Sequence, residues 1–380
     1  MSLSAAQLQE HPEFPYVNWH LIPTKKGKIA AAKDRGGPVN IAFEIHGVGP
    51  SHVVVSQFLY LPFAFARVSY EASLLQFLRG NFLELLKPLA TKSGVQFSIL
   101  CTWIMGLGSM KTAWQRQTRD FGHTQGDKYT CLLIENRGIG ESDKPLMRYS
   151  TSEMAKDIIE VLDHLEWKKE RQLNIVGISM GGMISQELGL LIPKRIASLS
   201  LVSTAAAIEN TVGFIENLRN RVNLFIPRSL NSQVSMIKHN LFSPEWLSQP
   251  DESEFVKERF PTNGDRIGAG EVAKRMDTFS YTKSGFISQA LAAGWHYKSL
   301  EQLASLGDQV GRERIMVIHG GADRMITYPH VHVLIKGLGG EDGGITIKLE
   351  PGQGHVLPIE MRKTFNGWVE DLIDKAEKLS

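Results

Sequence analysis

Cysteine is scarce in this chain: Cys101 and Cys131 are the only two among 380 residues. So few thiols exclude a disulfide framework. Both lie inside apolar runs and are expected as buried free thiols of a reducing compartment. Charge of one sign is also lacking, since 42 Lys and Arg stand against 40 Asp and Glu, for a net charge of +2. A balance of this kind leaves no concentrated basic stripe and argues against nucleic acid as a partner. Residues Met1 to His20 lack the basic segment and apolar core of a secretory signal, so the cytoplasm is the expected location. No clear membrane span is present: the apolar run from Val53 to Val68 is interrupted by Gln57, Pro62 and Arg67 and is short for a crossing. Internal repeats and low-complexity linkers are missing as well.

Apolar residues, by contrast, make up 42% of the chain, which is ample material for one large domain with an inserted subdomain. Strand-like runs occur at Val39 to Ile45, Phe97 to Ile104, Tyr129 to Glu135, Leu173 to Val176, Ile196 to Val202, Ile315 to His319 and Ile345 to Leu349. Helical patterns stand between several of them, among them about Thr151 to Leu165 and a helix carrying Trp114 that Ser109 is placed to N-cap. Strands alternating with helices specify an α/β fold with a mostly parallel sheet flanked by helices. Residues 1–204 and 298–380 are expected to form this core. Residues 205–297, which include Phe214, Leu218, Phe225, Phe242, Trp246, Phe260, Phe286 and Trp295, are expected to form a helical cap.

The segment Gly177-Ile178-Ser179-Met180-Gly181 follows directly on Leu173 to Val176 and precedes a run with helical apolar spacing that ends before Pro193. It reads as a nucleophile elbow. A serine hydroxyl is a poor nucleophile, and a tight strand-to-helix turn presents it to a histidine and to backbone N–H groups. Glycines two residues before and after the serine remove side chains that such a turn would force together.

From Val39 onward, except for residues 55–102, the chain resembles the α/β-hydrolase fold family. The resemblance rests on the elbow, on His319-Gly320-Gly321-Ala322-Asp323 at the acid-bearing turn, and on Gly352-Gln353-Gly354-His355-Val356 at the histidine loop. It implies a triad in which Ser179 attacks, His355 takes and returns the proton, and Asp323 orients the imidazole. Asp308 competes for the acid's place but precedes its strand, at the wrong end of the sheet.

The tetrahedral intermediate needs backbone donors. The N–H of Met180 is one. For the other, His46-Gly47-Val48-Gly49 matches the family's H-G-x-G spelling, whereas Met105-Gly106-Leu107-Gly108 has methionine in place of the histidine. The second segment is chosen nonetheless, because only it leads into a helix-compatible stretch, which makes Leu107 N–H the second donor. Asn136-Arg137-Gly138-Ile139-Gly140-Glu141-Ser142 resembles the family's turn after the fourth strand, usually begun by Asp, and is given a structural role. Trp295 and His296 are candidates for shaping the substrate pocket.

No cofactor is implied, because neither Gly-x-Gly segment completes a dinucleotide motif and Ser109-Met110-Lys111-Thr112 lacks the glycines of a P-loop. The pair His330 and His332 is not read as a metal site, since neighbours two apart on a helix diverge.

Residues 55–102 fall where the family has one continuous central strand. This apolar tract is read either as translated intron, with Val55-Ser56 compatible with a splice donor, or as a genuine lid or membrane-leaning hairpin. If it is present in the protein, Phe97 to Ile104 can still furnish the strand.

The reading as a whole is a serine hydrolase that cleaves a carboxylic ester or related acyl bond of a small-molecule acyl substrate. Acyl transfer, C–C hydrolysis and peptidase action use the same triad and remain open. A ligand-binding protein without turnover, or a mis-spliced product, are the alternatives outside catalysis. No motif speaks to oligomeric state or to the particular substrate.

Overall fold

The computed structural model describes residues 2–48, 98–208, 228–254 and 256–379. Most of the apolar tract, residues 55–97, and the aromatic positions Phe214 and Phe225 therefore lie outside the described residues, as does Leu218.

One sheet organises the chain, with strands in the order β1-β2-β4-β3-β5-β6-β7-β8. In chain order these are β1 (Lys25–Ala31), β2 (Val39–His46), β3 (Ile99–Ile104), β4 (Tyr129–Ile134), β5 (Leu173–Ile178), β6 (Ile196–Val202), β7 (Ile315–Gly320) and β8 (Thr346–Glu350). Strands β3 to β8 run parallel, while β2 pairs antiparallel with both β1 and β4. Every residue of β3, β4, β5, β6 and β7 is buried, which accounts for their unbroken apolar runs rather than an alternating pattern.

Twelve α-helices surround the sheet among the described residues. In chain order they are α1 (Ala5–Glu10), α2 (Gln115–Arg119), α3 (Thr151–His164), α4 (Met180–Leu191), α5 (Leu230–Leu241), α6 (Pro244–Ser248), α7 (Asn263–Met276), α8 (Lys283–Gly294), α9 (Leu300–Val310), α10 (Pro329–Gly337), α11 (Leu357–Glu360) and α12 (Arg362–Lys378). One face of the sheet packs on α3, α4, α9 and α10 through a core that includes Ile158, Val161, Ile184, Leu188, Leu306 and Leu334. The other face packs on α12 through Trp103, Trp114, Phe121, Phe365, Val369 and Ile373. Each large apolar side chain buried in this way contributes roughly 1.5–3 kcal/mol.

Local sequence sets the helix starts. Ser150 caps α3 by accepting the Glu153 N–H, and the buried row Met154, Ile158, Val161, Leu162 keeps helical spacing. Trp114 departs from expectation. It ends a short 3-10 turn, Lys111–Trp114, whose preceding residue is Met110, and Ser109 caps nothing there.

Strand β3 is built from Ile99 to Ile104, so the end of residues 55–102 does supply the central strand. The next strand, β4, lies on one side of it and β5 on the other, which makes β3 the point where the winding reverses and where α/β sheets collect their sites. Helices α5 to α8 stand between β6 and β7, before the acid-bearing strand.

Both cysteines are free and buried on adjacent strands, where Cys101 pairs in register with Cys131. Burial pushes the Cys131 thiol up to about 12. Among the described residues no helix is long and apolar enough to cross a membrane.

Candidate active site

Ser179 sits between β5 and α4 with φ +58° and ψ −123°, a strained conformation for any residue other than glycine. The surroundings over-determine it. Its N–H donates to Val202 O at 2.9 Å, and its carbonyl accepts from Thr204 Oγ1 at 2.8 Å and from Gly182 N at 2.9 Å. A Cβ at Gly181 would run into the carbonyl oxygens of Ile104 and Met105, and one at Gly177 would meet the Gly181 carbonyl. Both elbow glycines are thus required by close approach.

The loop after β3 runs alongside. A Cβ at Gly106 would stand 3.0 Å from Ser179 Cβ and 3.6 Å from its Oγ, so this backbone passes within van der Waals reach of the Ser179 side chain. Register explains the proximity, since Ile104 of β3 lies beside Gly177 of β5. Neither Leu107 N–H nor Met180 N–H has a hydrogen-bond partner among the described residues. The rival segment lies elsewhere: β2 is antiparallel to β4, His46 pairs with Cys131, and Val48 N donates to Gly126 O just before β4 begins. That is the edge of the sheet opposite Ser179.

Asp323 and His355 meet beyond the ends of β7 and β8. Their bond, His355 Nδ1 to Asp323 Oδ2, is 2.6 Å, and both residues are buried. The other carboxylate oxygen, Oδ1, accepts the N–H groups of Met325 at 2.8 Å and Ile326 at 2.9 Å, which fixes the carboxylate plane. Ser179 Oγ and His355 Nε2 make no hydrogen bond to each other. With Nδ1 taken by Asp323, Nε2 is the nitrogen available to a serine hydroxyl. Asp308, exposed on α9, pairs instead with Arg312 just after that helix.

Several further residues support this pair. His319 is wholly buried behind Asp323, its Nε2 2.9 Å from Ile326 O and 3.6 Å from Asp323 Oδ2, and burial holds its pKa below the ordinary value. Glu360 accepts Gly354 N–H and Ser243 N–H at 2.9 Å each, and so ties the histidine loop to the segment before α6; burial raises its pKa. Leu241 O accepts His355 N–H at 2.8 Å and strengthens the same junction. Only the position of Glu360, five residues after His355, hints at its role.

The two expected pocket residues are placed differently. Trp295 is exposed, with the Arg148 guanidinium 5.1 Å from its ring centre. The His296 ring is buried, with Nδ1 2.9 Å from Thr151 Oγ1. His296 thus packs between α3 and the end of α8. His330 is buried on α10, and among the described residues no group of three or more His, Cys, Asp or Glu is arranged to hold a metal ion.

Residues 104–360 match the model of the alpha/beta hydrolase fold family. The chain belongs to that family. It is 35% identical over 102 residues to 3-oxoadipate enol-lactonase 2 of Acinetobacter baylyi, a match covering 27% of this chain and 36% of the lactonase. The chain thus spans about a third of that relative's length. Two solved structures share the fold. One is a thermophilic esterase from Thermogutta terrifontis, with a TM-score of 0.62 and 16% identity over 93% of this chain and 99% of the esterase. The other is the enol-lactonase from Burkholderia xenovorans LB400, with a TM-score of 0.57 and 16% identity over 88% of this chain and 97% of the lactonase. At such identities the likeness speaks for the fold alone.

Proposed function

We propose that this chain is a serine hydrolase that cleaves a carboxylic ester, lactone or related acyl bond of a small molecule through an acyl-Ser179 intermediate. The observation that carries the reading is the 2.6 Å Asp323–His355 bond, made at the same sheet edge as the strained Ser179 elbow. His355 Nε2 removes the Ser179 proton as Oγ attacks the carbonyl, and the imidazolium that forms is stabilised by Asp323. The N–H groups of Leu107 and Met180 receive the developing oxyanion. His355 then protonates the leaving oxygen, and water activated by the same imidazole releases the acid. Residues 205–297 form a cap over this chemistry, and residues 1–204 with 298–380 form the core. The likeness to an enol-lactonase supports an acyl–oxygen bond among those the triad can cut.

A fluorophosphonate probe tests the reading. The folded chain should label at Ser179, lose labelling in Ser179→Ala, and hydrolyse some member of a series of acyl esters of graded chain length. A well-folded chain that neither labels nor hydrolyses any ester would instead be a ligand-binding member of the fold.

A further inference from the structure

We propose that Gln289 is a positioning residue through which α8 sets the conformation of the Gly106–Gly108 loop, and with it the Leu107 N–H. The proposal rests on the acyl-serine reading above.

Gln289 is completely buried, a costly place for an amide unless every polar atom is used. Its Oε1 accepts Gly108 N–H at 2.9 Å and its Nε2 donates to Arg137 O at 2.8 Å. These two partners fix which end of the amide faces which way, because a backbone N–H needs an acceptor and a carbonyl needs a donor. The loop is held at its two ends by side chains: Asn136 Nδ2 donates to Met105 O at 3.2 Å, and Gln289 grips Gly108, whose φ is +63°. Leu107 N–H lies between these anchors and has no partner among the described residues.

The grip is referred to a rigid base. Arg137, the other residue Gln289 bonds, is locked to Asp157 of α3 by bonds of 2.7 Å and 2.6 Å. The segment just before α8 docks on the turn that follows Arg137, with Gly140 N donating to Ser280 O at 2.8 Å and Ile139 bridging Tyr281. Displacement of α8 therefore moves Gln289 against Gly108 and shifts the Leu107 N–H. A misplacement of about 1 Å in such a group costs on the order of a hundredfold in rate. The role is one of positioning, since Gln289 acts on the reacting atoms only through Gly108 and Leu107.

The experiment compares the full chain with Gln289→Met and Gln289→Glu. It reads amide hydrogen exchange over residues 105–110, the rate of fluorophosphonate labelling, and kcat and KM on a p-nitrophenyl ester. Gln289→Met leaves Gly108 N–H and Arg137 O unpaired. The expected result is faster exchange at Gly108 with β5 and α4 unchanged, and kcat and labelling rate lower by about tenfold or more with KM little altered. Gln289→Glu keeps the acceptor for Gly108 and regains the donor to Arg137 only when protonated, so its kcat relative to wild type should fall as pH rises. This variant carries the test if Gln289→Met does not fold. Unchanged exchange at Gly108, faster exchange with unchanged kcat, or a Gln289→Glu ratio independent of pH overturns the proposal. Failure of the underlying reading looks different: the wild-type chain does not label at Ser179, while exchange at Gly108 still reports whether Gln289 holds the loop.

Discussion

Asn136 Nδ2 lies 3.2 Å from the carbonyl oxygen of Met105, so the two positions at which this sequence departs from the family pattern touch each other. Asparagine can donate to a carbonyl; an aspartate in its place would have to be protonated to do so. The asparagine at 136 is thereby suited to bracing the backbone of the loop that begins at Met105.

Asn136→Asp should consequently weaken the candidate oxyanion loop. Replacing a buried donor by a carboxylate against a carbonyl costs on the order of 1–3 kcal/mol. We expect a lower melting temperature and slower fluorophosphonate labelling of Ser179. Wild-type values of both would remove Asn136 from any bracing role.

The Asp323–His355 bond yields a sharper test. In Asp323→Asn the side-chain oxygen can still satisfy Met325 and Ile326, which turns the NH2 group toward His355 Nδ1 and forces the proton onto Nε2. An imidazole in that tautomer cannot accept the serine proton. Turnover should drop by about three to four orders of magnitude with the fold intact by circular dichroism. An active Asp323→Asn enzyme would sink the assignment of the acid.

The two glycines around Ser179 separate stability from catalysis. In Gly181→Ala the new Cβ meets the Ile104 carbonyl, which belongs to β3 and cannot yield, so a loss of about 1–3 kcal/mol or more is expected in urea denaturation. In Gly106→Ala the contact is with Ser179 Cβ at 3.0 Å and with Ile178 O at 3.3 Å, a few tenths of an ångström too close. That variant should fold, and lose activity by roughly a hundredfold as the nucleophile and its donor are pushed apart. Equal activity in Gly106→Ala and wild type would show that the loop after β3 does not bear on Ser179.

The parallel strands of the sheet are readable because buried strands write themselves as unbroken apolar runs, as Leu173 to Ile178 does. Strand β1 left no such mark. It is an edge strand with Lys25, Lys26 and Lys28 turned outward or partly outward and only Ala31 buried, so its residues look like a polar lead-in. Asp323 and His355, which the structure brings together, stand in glycine-rich turns after apolar strands. Gln289 and Glu360 had no comparable signature, because their partners are backbone groups, and the Gly108–Gln289 bond joins positions 181 residues apart. The surroundings of His296 are equally silent in the sequence. Its neighbours Thr151 and Glu187 come from helices far away in the chain, and a histidine beside a tryptophan carries nothing in its local sequence to say which way the ring turns.

That buried histidine makes the last prediction one of pH. Burial first, and the charge of Lys298 second, push His296 down to about 3 from an ordinary value of 6.5. Thr151 bonds its Nδ1, and Glu187 stands 3.7 Å from the same nitrogen. In the native state the ring stays neutral over the interval from about 6.5 down to about 3, whereas in the unfolded chain it takes up a proton there. The unfolded state therefore binds more protons, and the stability that His296 contributes is present above about 6.5 and drains away as pH falls toward about 3. The slope from this one group is at most about 1.4 kcal/mol per pH unit. His296→Gln retains a bond to Thr151 and cannot titrate, so its urea midpoint should fall less steeply than that of wild type between about pH 7 and about pH 5. Parallel curves for the two proteins would mean that His296 is protonated in the native state as readily as in the unfolded one.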